Sequence, residues 1–178
     1  MTLGPQHVLR FCRRIDPDPS GPLHTFVETG TYLGDTTAQA AQRYNRVHTI
    51  EASPQLHAMA VRRFAETPNV TCHFGSSPAV LAALDVPQPA VFYLDAHWQK
   101  ADAYEVWDGE PVPLWEELDV ILKRPYADII AIDDLHSFGS DKTHPRWLTI
   151  TIPAVQQRIG ARLARSEAFW DHLVCWLT

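Results

Sequence analysis

Five short apolar runs, alternating with four stretches of helical periodicity, constrain this chain more than any other feature. The runs are TFVETG (25–30), RVHTIEA (46–52), NVTCHFG (69–75), AVFYLDAH (90–97) and ADIIAIDD (127–134). Between them lie DTTAQAAQRY, SPQLHAMAVRRFAE, SPAVLAALD and PLWEELDVILKR, rich in Ala, Leu, Gln, Glu and Arg at a spacing near 3.6. Strands apolar on both faces and separated by helices must be buried on both sides. That requires a parallel sheet with helices packed on each face, joined by right-handed crossovers.

The ends of the chain extend this pattern. Val8, Leu9, Phe11, Cys12 and Ile15 recur at helical spacing before the Pro-rich DPDPSGP, so residues 1–22 read as an N-terminal helix and connector. After a short helix at PAVQQRIG (153–160), two β-like runs, ARLARSEAF and HLVCWLT, are separated only by WD. So tight a turn makes them an antiparallel hairpin. The expectation is a doubly wound, Rossmann-like α/β fold with a mostly parallel seven-stranded sheet. With 178 residues, 46% of them hydrophobic, residues 1–178 form a single domain with a substantial core.

Bulk charge narrows the partners. A net charge of -6 gives no general attraction to nucleic acid or to an anionic membrane, so neither is an expected partner. Cys12, Cys72 and Cys175 match neither a zinc pattern nor a CxxC pair and read as reduced thiols. Arginines interrupt the N-terminus too early for a secretion signal, and no run is long enough to span a bilayer; the expected location is the cytoplasm.

In open α/β sheets ligands bind outside the carboxyl ends of the strands. Here those ends carry Glu28, Gly30 and Gly34; Glu51; Gly75, Ser76 and Ser77; Asp95 and His97; Asp133, Asp134 and His136. Glu51 follows Gly30 by about the 20 residues at which such folds place an acid for ribose hydroxyls. The alternative is that Gly30 and Gly34 merely make a tight turn. A dinucleotide loop needs G-x-G-x-x-G, but the chain reads Gly30-Thr31-Tyr32-Leu33-Gly34-Asp35. Tyr32 occupies the place of the middle Gly, and Asp35 sets a negative charge where phosphates would sit at a helix N-terminus. An adenosine ligand without phosphates fits better, which points to S-adenosylmethionine (SAM).

VETGTYLGDTT, the acid of HTIEAS, HFGSS, FYLDAHW and IIAIDDLHSFG, in that order, resemble the successive motifs of class I SAM-dependent methyltransferases. The likeness runs from about Thr25 to the final hairpin. ETG with a bulky residue in place of the middle Gly, together with LDAH and IDD, is similar to the macrocin O-methyltransferase branch, whose acceptors are small hydroxylated molecules. The resemblance implies that Glu28, Gly30 and Gly34 surround the methionine part of the cofactor, Glu51 the ribose, and Ser76 and Ser77 the adenine. The acid that usually follows the Gly of this third motif is absent, because Ser76 follows Gly75. Thr31, Tyr32, Asp35, Thr36, Ala52, Ser53, Gly75 and Asp95 complete the expected cofactor contacts. In that branch a divalent metal is held by a carboxylate after the fourth strand and an acid pair after the fifth. Asp95, Asp133 and Asp134 thereby become candidate ligands for Mg²⁺ or another divalent cation.

His97 and His136 each follow an acidic strand end by two positions. Either can take a proton from an acceptor hydroxyl at neutral pH or ligate a metal; with Asp95 they are the expected catalytic residues. Lys100 is an alternative base. Residues 98–112 form the one long irregular stretch, with Trp98, Tyr104 and Trp107 among Asp102, Glu105, Asp108 and Glu110, and read as a lid. Residues 137–147, ending in Trp147, are the expected opposite wall. The expected function is metal-assisted O-methylation of a small molecule such as a sugar or natural-product intermediate, and the resemblance allows a homodimer. Other SAM chemistry, a cofactor-binding module without catalysis and, last, a dehydrogenase remain as alternatives.

Overall fold

The computed structural model describes residues 5–16, 24–97 and 110–178. Its elements are α1 (Pro5–Ile15), β1 (Thr25–Thr29), α2 (Asp35–Ala40), β2 (Arg46–Glu51), α3 (Pro54–Arg63), β3 (Val70–Phe74), α4 (Ser77–Ala83), β4 (Ala90–Leu94), α5 (Leu114–Ile121), β5 (Ile129–Ile132), α6 (Ile152–Ile159), β6 (Leu163–Phe169) and β7 (His172–Leu177). They form one seven-stranded sheet in the order β3-β2-β1-β4-β5-β7-β6. β1 to β5 run parallel, and β7 lies antiparallel between β5 and β6, as the tight Trp170-Asp171 turn requires. Chain order reverses between β1 and β4, which opens the crevice at the carboxyl ends of these two strands.

The sheet is covered on both faces. Val27, Ile50, Phe92, Ile130 and Ile132 pack with Leu81 of α4, Leu114, Leu118 and Ile121 of α5, and Val155 and Ile159 of α6. On the other face Phe26, Val47, Val91, Tyr93 and Ala131 meet Phe11, Cys12 and Ile15 of α1, Ala40 of α2 and Tyr44. β1, β4 and β5 are buried along their whole length, as expected of central strands. β3 departs from the expected double burial: it is an edge strand, and its residues are partly exposed or exposed. Side-chain caps set two of the helix starts: Ser53 accepts the Leu56 N–H at 3.3 Å at the head of α3, and Thr151 accepts that of Ala154 at 3.2 Å at the head of α6.

At the amino ends of the strands, Asp128 is fully buried and accepts the Ala90 N–H at 2.9 Å and the Arg124 Nε–H at 2.9 Å. Arg124 also donates to the carbonyls of Val86 and Gln88, both at 2.8 Å. This pairing ties the approach to β4 to the start of β5 and so aligns the two strands whose far ends carry the acids. No helix among the described residues is long and apolar enough to cross a membrane. Residues 98–109 lie outside the described residues, and with them most of the expected lid: Trp98, Lys100, Asp102, Tyr104, Glu105, Trp107 and Asp108.

Candidate active site

The turn after β1 is built against β4. Gly30 has a φ of 83°, and a Cβ placed on it would lie 2.4 Å from the carbonyl oxygen of Asp95, so no side chain fits. Tyr32, with a φ of 48°, and Gly34, with 82°, continue the turn in left-handed conformations. What holds a tyrosine there is Glu51: one of its oxygens accepts the Tyr32 N–H at 2.9 Å and the other accepts the Ser53 N–H at 2.9 Å. Glu51 thereby links the ends of β1 and β2 and stands fixed beside the turn.

Glu28 lies beneath this turn. It is 1% exposed, and one carboxyl oxygen accepts hydrogen bonds from Thr37 and, at 2.6 Å, from Thr49. The Thr31 and Thr49 hydroxyls bond to each other at 2.6 Å. Burial pushes the Glu28 carboxyl up to about 8, against the lowering effect of the two threonines. The Tyr32 ring is largely exposed. Asp35 points outward and pairs with Arg63 at 2.8 Å, and Thr36 is half-buried beside it. Ala52 and Ser53 follow Glu51, with Ser53 committed to capping α3. After β3, the Gly75 N–H bonds to the Glu51 carbonyl at 3.0 Å, Ser76 occupies the N-cap of α4, and Ser77 is buried.

The ends of β4 and β5 carry the acidic rim. His97 lies between two carboxylates, with Nδ1 3.5 Å from Asp95 Oδ1 and Nε2 3.0 Å from Asp134 Oδ2. Burial alone would lower its pKa, but Asp134 and Asp95 outweigh burial and raise it to about 10, so at neutral pH the ring is an imidazolium. Burial raises the Asp95 carboxyl to about 7, opposed by the bond with His97, whereas Asp134, in contact with His97, is held below its ordinary value. The ligand-capable atoms of Asp95, His97 and Asp134 lie within 4.8 Å of one another, and so do those of Asp134, His136 and Asp171.

Asp133 faces elsewhere. Its carboxylate accepts the Tyr93 hydroxyl at 2.8 Å and the Asp134 N–H at 2.8 Å, with His172 Nε2 at 3.3 Å. Of the three expected metal ligands, Asp95 and Asp134 thus come together with His97 as the third donor, while Asp133 belongs to a polar chain under the rim. In that chain the fully buried His172 has Nε2 2.8 Å from the Tyr93 hydroxyl and no partner on Nδ1 among the described residues. A neutral ring with its proton on Nε2 satisfies the Tyr93 oxygen and leaves the Tyr93 proton for Asp133. His136 is exposed and tied to the β6–β7 turn, its Nδ1 2.7 Å from Asp171 Oδ2 and its N–H 2.9 Å from Asp171 Oδ1.

A recess opens between these groups, lined by Asp95, His97, Val112, Glu117, Asp133 and Trp147 among others. Trp147 is buried and meets the His97 ring edge-on at 6.0 Å, so the expected wall at 137–147 reaches the site through this one side chain. Glu117 of α5 escaped the sequence reading. It is 1% exposed, and burial raises its carboxyl to about 7 against the lowering effect of Ser77 and Thr29. Its signal was available: Leu114, Glu117, Leu118 and Ile121 form the buried stripe of α5, and a carboxylate within an apolar stripe calls for a partner. Tyr93, His172 and Asp171 left no such signal, because their partners are distant in sequence.

The donor set supports a test of each implied group. The Gly30 turn, with no room for a Cβ, and the fixed Glu51 beside it fit a ligand approaching the backbone closely and presenting a diol. The Asp95, His97 and Asp134 group offers two oxygens and a nitrogen, which suits a borderline divalent cation such as Mn²⁺ at least as well as Mg²⁺.

No protein-family model matches the sequence, and no curated protein does. Solved structures do match the fold. An O-methyltransferase from Bacillus cereus in complex with S-adenosylhomocysteine (SAH) aligns with a TM-score of 0.68 at 15% identity, over 100% of this chain and 82% of that one. The SAH-bound methyltransferase PaMTH1 of Podospora anserina gives 0.65 at 14% identity, over 97% and 76%. The O-methyltransferase TomG of Streptomyces achromogenes, involved in tomaymycin synthesis and in complex with SAM, gives 0.61 at 20% identity, over 100% and 81%. The architecture is the class I methyltransferase fold expected from the sequence.

Proposed function

We propose that this chain is a SAM-dependent methyltransferase that methylates a hydroxyl of a small molecule with the help of a divalent cation. The observation that carries the proposal is the coupled turn of β1 and β2. Gly30 is pressed on the Asp95 carbonyl, and Glu51 is held by the N–H groups of Tyr32 and Ser53. This rigid edge suits a nucleoside whose ribose meets a carboxylate, and it lacks the second glycine that a pyrophosphate needs. Further support comes from the solved structures of this fold that hold SAM or SAH.

The cofactor supplies a methyl group made electrophilic by its sulfonium, and a divalent cation would orient the acceptor hydroxyl and lower its pKa. The chain's own residues supply position and proton transfer. Glu51 orients the ribose, and the Gly30 turn lets the methionine end lie close to the backbone. Asp95, His97 and Asp134 are the residues that would hold the cation. Without a cation, His97 holds a proton between its two carboxylates, with Asp134 the nearer at 3.0 Å; as a ligand it would have to give that proton up. Trp147 walls the recess against water on one side.

Incubation with SAM and a panel of small hydroxylated acceptors, with product analysis, tests the reading. SAH together with a methyl ether is expected, with turnover lost in EDTA and restored by Mg²⁺ or Mn²⁺. Methylthioadenosine as the product would replace methyl transfer with alkyl transfer, and full turnover in EDTA would remove the cation.

A further inference from the structure

Away from the acidic rim, the outer part of the sheet brings two nitrogen donors together. His48 lies on β2 and His73 on the edge strand β3, where His73 pairs with Ile50, two residues beyond His48. Alternation along β2 therefore sets both rings on one face of the sheet. Both residues are half-buried, so solvent reaches them.

His48 Nδ1 stands 3.0 Å from His73 Nε2, with the ring planes inclined at 35°. Only one proton fits between these nitrogens, so one ring donates and the other accepts. Among the described residues no carboxylate or hydroxyl bonds to either ring. Burial, reinforced by His73 and Arg46, holds His48 down to about 4. Burial, reinforced by His57, also holds His73 below the ordinary imidazole value. The pair is therefore uncharged at neutral pH, and both rings keep a lone pair.

Neutral imidazoles suit Zn²⁺, Ni²⁺ and Cu²⁺, whereas Mg²⁺ prefers oxygen donors. Metal–nitrogen bonds of about 2.0–2.1 Å, meeting at about 90–110°, put two ligand nitrogens about 2.8–3.4 Å apart. The separation of His48 from His73 falls within that span. The shared proton is no barrier, because a neutral ring can carry it on its other nitrogen with no net loss of a proton.

We propose that His48 and His73 chelate one transition-metal ion of the Zn²⁺ class, with its remaining positions open to water. The ion ties the edge strand β3 to β2. This site is separate from the group of Asp95, His97 and Asp134, and it does not depend on the cofactor reading.

Titration calorimetry of the full chain with Zn²⁺ in an excess of Mg²⁺ tests the proposal. His48→Leu and His73→Leu each remove one donor. Each is expected to weaken binding at this site at least about tenfold, because the second imidazole engages intramolecularly. His97→Ala, which removes a nitrogen donor from the rim, is expected to keep the site. Magnetic resonance of the unaltered chain gives an answer that needs no variant: Zn²⁺ should shift the ring signals of His48 and His73 together. Ring signals that stay unmoved at saturating Zn²⁺ would overturn the proposal. So would zinc binding that is the same in the unaltered chain and in either leucine variant, each shown to be folded by its thermal transition, or no zinc binding at all.

Discussion

Glu28 shows how single residues of the site set conditions for the whole chain. Its folded-state pKa of about 8 lies above the value of about 4.3 for an unfolded chain, because burial penalises the carboxylate more than Thr37 and Thr49 stabilise it. The folded state therefore binds more protons between these two values. The contribution of Glu28 to stability is intact below about pH 4, declines as pH rises, and is lost once pH passes about 8. Between pH 5 and pH 8 the unaltered chain should lose about 10 °C more in Tm than Glu28→Gln, which removes this titration. Parallel Tm curves for the two proteins would show that Glu28 is not a buried acid. This burial was not legible in the sequence. VETGTYLGDTT marks Glu28 as a strand-end acid, but that it lies under the turn depends on Thr49, 21 residues away on the neighbouring strand.

At the scale of elements, central strands were the most legible and edges the least. β1, β4 and β5 are apolar on both faces because each lies between two strands and two layers of helix, and composition alone conveys this. NVTCHFG has a similar composition but becomes the edge strand β3, since sheet order follows from crossovers and not from local pattern. The acid pair after β5 was legible as a pair, but its division of labour was not. Asp134 turns to His97, whereas Asp133 turns to Tyr93 and to His172, which lies 79 residues beyond Tyr93. The Asp128 and Arg124 pairing belongs to this scale as well, for it aligns β4 with β5 at the ends opposite the site. Asp128→Ala leaves a guanidinium half-paired and the Ala90 N–H without an acceptor, and should cost about 3 kcal/mol in urea denaturation. Because it acts at the far end of the strands, its affinity for SAH should stay within about twofold; a loss of affinity with no loss of stability would contradict this division.

Over the whole molecule, the strand order gathers the candidate groups at the carboxyl ends of the strands, with Glu28 and Asp133 beneath the rim and Asp35 turned outward to Arg63. The reversal between β1 and β4 opens a crevice bounded by Gly30 and Asp95, with Glu51 on one side and the His97 cluster on the other. The sequence conveyed this arrangement because strand-end acids recur in register with the fold, and the 21-residue interval between Gly30 and Glu51 survives as a direct link from Glu51 to the Tyr32 N–H. Glu117 enters the same crevice from a helix that carries no recognisable motif. Titration calorimetry of the full chain with SAH, with NAD as a control, tests the cofactor claim most directly. The expected result is saturable one-to-one binding of SAH, weakened at least about tenfold in Glu51→Ala and in Gly30→Ala, with no comparable binding of NAD. Tight binding of NAD with no binding of SAH or SAM would contradict it.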